Sequence, residues 1–457
     1  MKRTPFPTVL QVAAVLLGFL PAILPAGDST STGDGGASAT LPEKLDLATA
    51  RALALSHNRA IAQAKERIRE QEGVIVEARS AYSPRVDANA SYDARDKNRI
   101  ESFGGLFAPL DQSWVADLAV SYTVLDGKFR DANSEAAQAA RAAAESQMQA
   151  VLDDVLLQVS QRYFDALLAA DRIEVQKKAI TVLDEQLSYA KKRFEAGAGP
   201  QFNVLQAEVA LANAKPGLVR AEGDRKIAID RLRRVIGMDF AKGAGPEDIT
   251  LVDRWPDTKL RHSLDDAIRR ALDNRPELAA IRAEIEANRQ QIRAESSRHK
   301  PKLQVVGSYG GQSLSFTDSV TDGLAGWTAG IRLSIPIIDG GLTKGRVQQA
   351  ESRLRQAELG EEQKQFDIQG EVRDAWVAWE EGSTILESSQ KVVEQADEAL
   401  RLARSSFEAG AATQLDVLQS QLELTRARLE EAVALHTYHT ALASVRRAMG
   451  DIAEGQP

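Results

Sequence analysis

The chain has 457 residues, with 57 Lys and Arg against 65 Asp and Glu and no cysteine. Its net charge of −8 argues against nucleic acid as the main partner, and the lack of thiols excludes disulfide scaffolds, thiolate metal sites and thiol catalysis. The length would allow two or three ordinary domains. Met1-Lys2-Arg3 followed by the apolar run from Val9 to Pro25 has the form of a secretory signal peptide, expected over 1–26 with cleavage near Ala26. Pro21 and Pro25 interrupt that run and weigh against a membrane anchor. A Gly/Ser/Thr-rich segment opens the mature chain and reads as a flexible N-terminus over 27–44. No later stretch reaches ~18 consecutive apolar residues, so no transmembrane helix is expected.

From Leu45 to Ala81 the apolar spacing is helical, with an interruption at His57-Asn58 and a stop at Ser83-Pro84. Strict alternation follows. Val86, Ala88, Ala90 and Tyr92 point one way, against Arg85, Asp87, Asn89 and Ser91. After a polar loop it resumes with Trp114, Leu118, Val120 and Tyr122 against Asp117, Ser121 and Thr123. These are strands of about 85–95 and 114–124, each with one greasy and one polar face. A helix of unusual length then runs from about Lys128 to Glu195, roughly 100 Å at ~1.5 Å per residue. Its Ala-rich start favours helix and lets neighbours approach closely. Ala196-Gly197-Ala198-Gly199-Pro200 breaks it, and a second helix returns to about Arg234, completing a hairpin over about 128–236. Pro216 falls inside the returning helix and should kink it.

The same object occurs twice. Asp126-Gly127, Phe194-Glu195-Ala196-Gly197, Val204-Leu205-Gln206 and Gly237 recur 213 residues later as Asp339-Gly340, Phe407-Glu408-Ala409-Gly410, Val417-Leu418-Gln419 and Gly450. Leu47, Ala50, Ile61, Pro84 and Tyr92 recur 217 residues later as Leu264, Ala267, Leu278, Pro301 and Tyr309. The chain therefore divides into a first repeat over 45–239, an equatorial linker over 240–262, a second repeat over 263–452 and a tail over 453–457. The second repeat holds strands of about 302–312 and 327–337, the latter continuing the alternation through Ile335 and Ile337, and a hairpin over about 341–449. Leu418, Leu422, Thr425, Leu429, Ala432, His436 and His439 form an a/d seam in its last helix.

A four-stranded sheet packed on the helices would suit a soluble protein, but three features favour membrane strands. Each is ~10–11 residues long, enough to cross a bilayer at a tilt of ~45°. The polar face carries Asp87, Asn89, Asp117 and Arg332, as expected of strands lining water. With each pair running out and back, Tyr92, Trp114, Tyr309 and Trp327 collect at the loop end as an aromatic girdle. Four strands cannot close a barrel, and open edges are not tolerated in lipid, so several chains must share one barrel.

Three further motifs stand out: Asn274-Arg275-Pro276-Glu277-Leu278, Ile335-Pro336-Ile337-Ile338-Asp339-Gly340-Gly341, and Phe407-Glu408-Ala409-Gly410 followed by Asp416-Val417-Leu418. By these residues the chain resembles, over nearly its whole mature length, the TolC-like bacterial outer-membrane efflux proteins. The resemblance implies an α+β membrane protein: a homotrimer whose chains each give four strands to a 12-stranded β-barrel in outer-membrane lipid, continued by a long α-helical periplasmic barrel. It also implies partners, a periplasmic adaptor (membrane fusion protein) and an inner-membrane pump. Phe194, Gly197, Ala198 and Gly199, with Phe407, Gly410, Ala411 and Ala412, fall on the family's adaptor-docking tips. Asp416, with Gln419 one turn later, falls at the periplasmic gate, where three carboxylates in a ring would raise one another's pKa and attract cations. A solvated coil residue is the alternative at that position.

No Gly-x-Ser-x-Gly, P-loop or His-Glu-x-x-His arrangement is present. Of five scattered histidines only His436 and His439 have ligand-like spacing, and two residues on an apolar seam suit packing or a local pH response better than a metal. No cofactor and no catalysis are expected. The function expected is a passive exit duct of a tripartite efflux or type I secretion system, gated at its periplasmic tips. The alternative is a periplasmic coiled-coil adaptor or scaffold without a pore.

Overall fold

The structure, a computed structural model, describes residues 42–96, 111–238, 249–256, 260, 262–313 and 323–452. The signal peptide, the C-terminal tail and most of the N-terminal segment and linker expected from the sequence lie outside the described residues.

The chain begins with a short strand β1 (Lys44–Leu45) and helices α1 (Leu47–His57) and α2 (Arg59–Ser80). Asp46 caps α1 by accepting from the Thr49 amide, and Asn58 both ends α1 and caps α2 through the Ala60 and Ile61 amides. Strands β2 (Arg85–Ala94) and β3 (Gln112–Leu125) follow, then α3 (Phe129–Glu195, 67 residues) and α4 (Gln201–Ile236). After β4 (Thr250–Leu251), which pairs in parallel with β1, the order recurs as α5 (Leu264–Asn274), α6 (Pro276–Ser297), β5 (Lys302–Ser313), β6 (Gly323–Ser334), α7 (Leu342–Glu408, 67 residues) and α8 (Gln414–Met449). Pro276 opens α6, where its missing N–H costs nothing, and left-handed glycines at Gly237 and Gly450 close α4 and α8.

Two details differ from expectation. β6 begins earlier and ends at Ser334, so Ile335 and Ile337 leave the ladder, because Pro336 has no N–H to give it. Pro216, expected to kink α4, lies on its exposed side within a helix that runs as one element from Gln201 to Ile236.

The sheet has order β2-β3-β5-β6, all antiparallel. Between the sheet and the middle of the long helices the packing order is α2-α3-α6-α7; toward the tips it is α4-α3-α8-α7. The chain is thus a wall one layer thick, with β2, α2 and α4 along one edge and β6 and α7 along the other. Two apolar clusters bind the short helices to the long ones midway. One joins Leu45, Ile61, Val159, Tyr163, Phe164, Ile229, Leu232 and Ile249; the other joins Leu278, Ile368, Val372, Trp376, Val445 and Met449.

Candidate functional site: strand faces, tips and a buried charge belt

The register fixes the faces of the sheet. Trp114 lies opposite Tyr92, and Trp327 opposite Tyr309, so the four aromatics form two cross-strand pairs on one face. The pairs are not level within the sheet. Tyr309 lies opposite Leu118, four residues along β3 from Trp114. Val86, Leu118, Ile331 and Leu333 share this face and stay exposed, with Trp327 and Ile331 both at 75%. Asp87, Asn89, Asp117 and Arg332 all lie on the opposite face, where Asn89 is across from Asp117 and Arg332 from Gln304. Arg85 pairs with Asp87 at 2.9 Å, and Ser308 shares a 2.7 Å hydrogen bond with Thr328.

Both tips turn on a left-handed glycine, Gly197 at φ 70° and Gly410 at φ 79°. The Ala198 amide donates to the Arg193 carbonyl and the Ala411 amide to the Ser406 carbonyl, each at 2.8 Å, closing the last turn of the helix. Ala198, Gly199, Ala411 and Ala412 stand at the ends of the hairpins. Phe194 and Phe407, equivalent in sequence, have different surroundings. Phe407 packs edge-on against Tyr189, with the Arg193 guanidinium over both rings, whereas Phe194 is exposed. Gln414 also donates across to the Asn203 carbonyl, so the two tips touch.

Asp416 has a structural task. Its carboxylate accepts from the Thr413 amide and hydroxyl, both at 2.7 Å, while the Thr413 oxygen accepts from the Asp416 amide, a complete capping box. These bonds hold its pKa below the usual value. Gln419 is exposed one turn on. The seam expected in α8 is only partly buried: Leu418 packs against Leu183 and Leu211, but Leu422 is 58% exposed. Val417 and Leu424 meet Leu400 instead, so α8 buries more than one stripe.

The two histidines separate in role. His436 Nε2 lies 2.8 Å from Asp165, and His439 is buried against Trp255 and Phe164. Burial, with Arg446 and His436 nearby, pushes the His439 pKa down to about 4. Among the described residues no group of three or more His, Asp or Glu could hold a metal ion, and no helix is long and apolar enough to cross a membrane.

A feature not assembled from the sequence is a charge belt at mid-height. Arg275, 1% exposed at its side chain, binds Glu277 at 2.6 Å and also Glu371 of α7. Arg447 of α8 joins Glu277 at 2.8 Å, Asp154 of α3 at 2.7 Å and Glu371 at 3.4 Å. Burial alone would raise the Glu277 pKa, but the hydrogen bonds and charge of Arg275, helped by Arg447, bring it down to about 2. Arg275 and Glu277 belong to the sequence motif quoted above. Their partners, 96 residues away at Glu371 and 170 residues away at Arg447, left no local signal.

The chain is thus a one-layer wall with a two-faced sheet at one end and paired helical tips at the other. The chain belongs to the outer membrane efflux protein family, whose profile matches residues 50–238 and 267–451. It is 25% identical to the outer membrane protein TolC of Vibrio cholerae over 83% of this chain and 85% of that protein. It is also 25% identical to the cobalt-zinc-cadmium resistance protein CzcC of Cupriavidus metallidurans, over 89% and 90%. Its fold matches the CmeC outer membrane channel of Campylobacter jejuni with a TM-score of 0.72 at 18% identity, over 89% and 86% of the two chains.

Proposed function

We propose that the chain is the outer-membrane exit duct of an efflux or secretion system, acting as a passive homotrimeric conduit. The single observation that carries this reading is the pair of unfinished edges. Among the described residues β2 and β6 each have one unpaired side, and their directions make β6 of one copy antiparallel to β2 of the next, so copies join without a mismatch. Three copies give 12 strands. The face bearing Trp327 and Ile331 meets lipid, and the face bearing Asp87, Asn89, Asp117 and Arg332 lines water. The helical edges also have apolar residues to cover: Phe202, Leu205 and Val209 on α4, Val377 and Ile385 on α7.

The chain comprises two copies of one unit, and that supplies the contact between protomers. Within the chain Phe407 of α7 meets Tyr189 of α3; the equivalent residues, Phe194 of α3 and Leu402 of α7, are both exposed. Phe194 of one copy therefore packs on Leu402 of the next. The tips dock a periplasmic adaptor fed by an inner-membrane pump, which supplies the energy, and the three Asp416 residues with Gln419 line the periplasmic gate. No reaction is catalysed. Relatives named for metal resistance and for alkaline protease secretion fit a duct whose cargo is set by its partners.

The chain has no cysteine, so Phe194→Cys with Leu402→Cys gives a clean test. Oxidation of the detergent-purified double variant is expected to produce a ladder ending at three chains. A species that remains monomeric, and soluble without detergent, would support the scaffold reading instead.

A further inference from the structure

Where the sheet meets the long helices there is a cavity of about 760 Å³. It lies between the turn before β2, the start of α3 and the connection from α6 to β5. Its walls carry five cations, Arg85, Arg130, Arg298, Lys300 and Lys302, against one carboxylate, Asp126. Three of the cations are compensated. Arg130 is held by Asp126 at 2.9 Å, Arg85 by Asp87, and Arg298 by Glu295 at 2.7 Å while stacking on Phe129. Lys300 and Lys302 have no ion-pair partner among the described residues.

Lys300 is also fixed in place. Its stem lies on the left-handed Gly127, where an added Cβ would come within 2.4 Å of the Lys300 Cβ, and its ammonium donates to the Gly127 carbonyl at 3.2 Å. Lys302 has no ion-pair partner among the described residues. Ser80, Ser83, Ser121, Thr123, Ser297 and Gln304 complete the polar lining. Ammonium groups and hydroxyl donors around a concave, half-enclosed space match the chemistry of a phosphate group, which offers several strong acceptor oxygens and up to two negative charges.

The position along the sheet supports this. Arg85, Ser121, Thr123, Lys302 and Gln304 are on the polar face, and Arg332 is directly across from Gln304. The same face carries Asp117 and Asp93 farther from the helices. The polar face is thus basic where the helical tunnel would deliver cargo and acidic beyond.

We propose that this junction cavity binds a phosphate-bearing anion, held by Lys300 and Lys302, and that it is a stopping point for anionic cargo entering the barrel. The luminal position rests on the duct reading; anion binding itself does not.

The test is calorimetric titration of inorganic pyrophosphate into the detergent-purified full chain. The wild type and a Lys391→Gln control, altered at an exposed lysine on α7, are expected to bind alike, and Lys300→Gln/Lys302→Gln at least about tenfold more weakly. Lys302→Gln alone, at an exposed side chain, is expected to give an intermediate loss and covers the case in which the double variant fails to fold. Short-chain phosphatidylglycerol is titrated in parallel. If it binds through the same two lysines and pyrophosphate does not, the phosphate is a lipid headgroup and the cargo role is wrong. No binding of either probe, or binding indifferent to both lysines, would overturn the site. Conductance of the same preparations is recorded separately, so an empty cavity in a conducting protein refutes the site and leaves the duct intact.

Discussion

Removing the positive charge at Arg275 should loosen the middle of the wall, and the effect should depend on pH. In the folded chain Glu277 is held at about 2 against an ordinary 4.5. At ~1.4 kcal/mol per pKa unit, that difference is worth about 3 kcal/mol of stability at neutral pH. The sign follows from the depressed pKa: the contribution is complete above about pH 4.5 and is lost as pH falls toward 2. Arg275→Met leaves Glu277 and Glu371 facing a methionine, with Arg447 still beside both and Lys364 3.6 Å from Glu371. Losing one member of such a buried set typically costs ~3–5 kcal/mol. Trp376 belongs to the same apolar cluster as Leu278, and Trp379 packs against it 5.2 Å away, so their fluorescence reports on this region during denaturant unfolding in detergent. The midpoint should fall sharply in Arg275→Met at pH 7. The wild-type midpoint should decline between about pH 4.5 and 2, and Glu277→Gln should flatten that decline. An unchanged midpoint in Arg275→Met, or an acid decline as steep in Glu277→Gln as in the wild type, would refute the reasoning.

Two other substitutions probe the sheet and the gate. A Cβ at Gly310 would lie 2.4 Å from the Ala116 carbonyl oxygen and 2.5 Å from the Asp117 Cβ, so Gly310→Val should part β3 from β5. Heat-modifiable migration on gels should then show little assembled barrel, and normal assembly would mean the strands tolerate the separation. At the gate, Asp416→Asn keeps an acceptor for the Thr413 amide while removing the charge, so α8 should lose only a few tenths of a kcal/mol. Block of the pore by divalent cations should weaken in that variant; equal block in both proteins would move the gate away from Asp416.

Much of the fold was legible because it is periodic. Alternation over Val86, Ala88, Ala90 and Tyr92 located β2, and the Gly197 and Gly410 breaks located both tips, since a period and a left-handed glycine are local properties of the chain. The ends of β6 were not legible, because Gly323 to Gly326 reads as loop until its partners on β5 are known. The burial of α8 was also misjudged. Spacing marks an a/d stripe, but the helix packs on α3 and α7 at once and leaves Leu422 exposed. The charge belt was half visible: Arg275 and Glu277 stood in a recognisable motif, while Glu371 and Arg447 look like ordinary residues on long charged helices. Asp416 could be read from its position after the tip, yet the capping box from Thr413 explains a carboxylate there without any gate.

The central claim is that copies of this chain enclose a water-filled path through a membrane. Single-channel recording of the detergent-purified protein in planar bilayers tests it most directly. Discrete, long-lived conductance steps are predicted, whereas a preparation that never inserts and remains an elongated soluble particle would contradict the account.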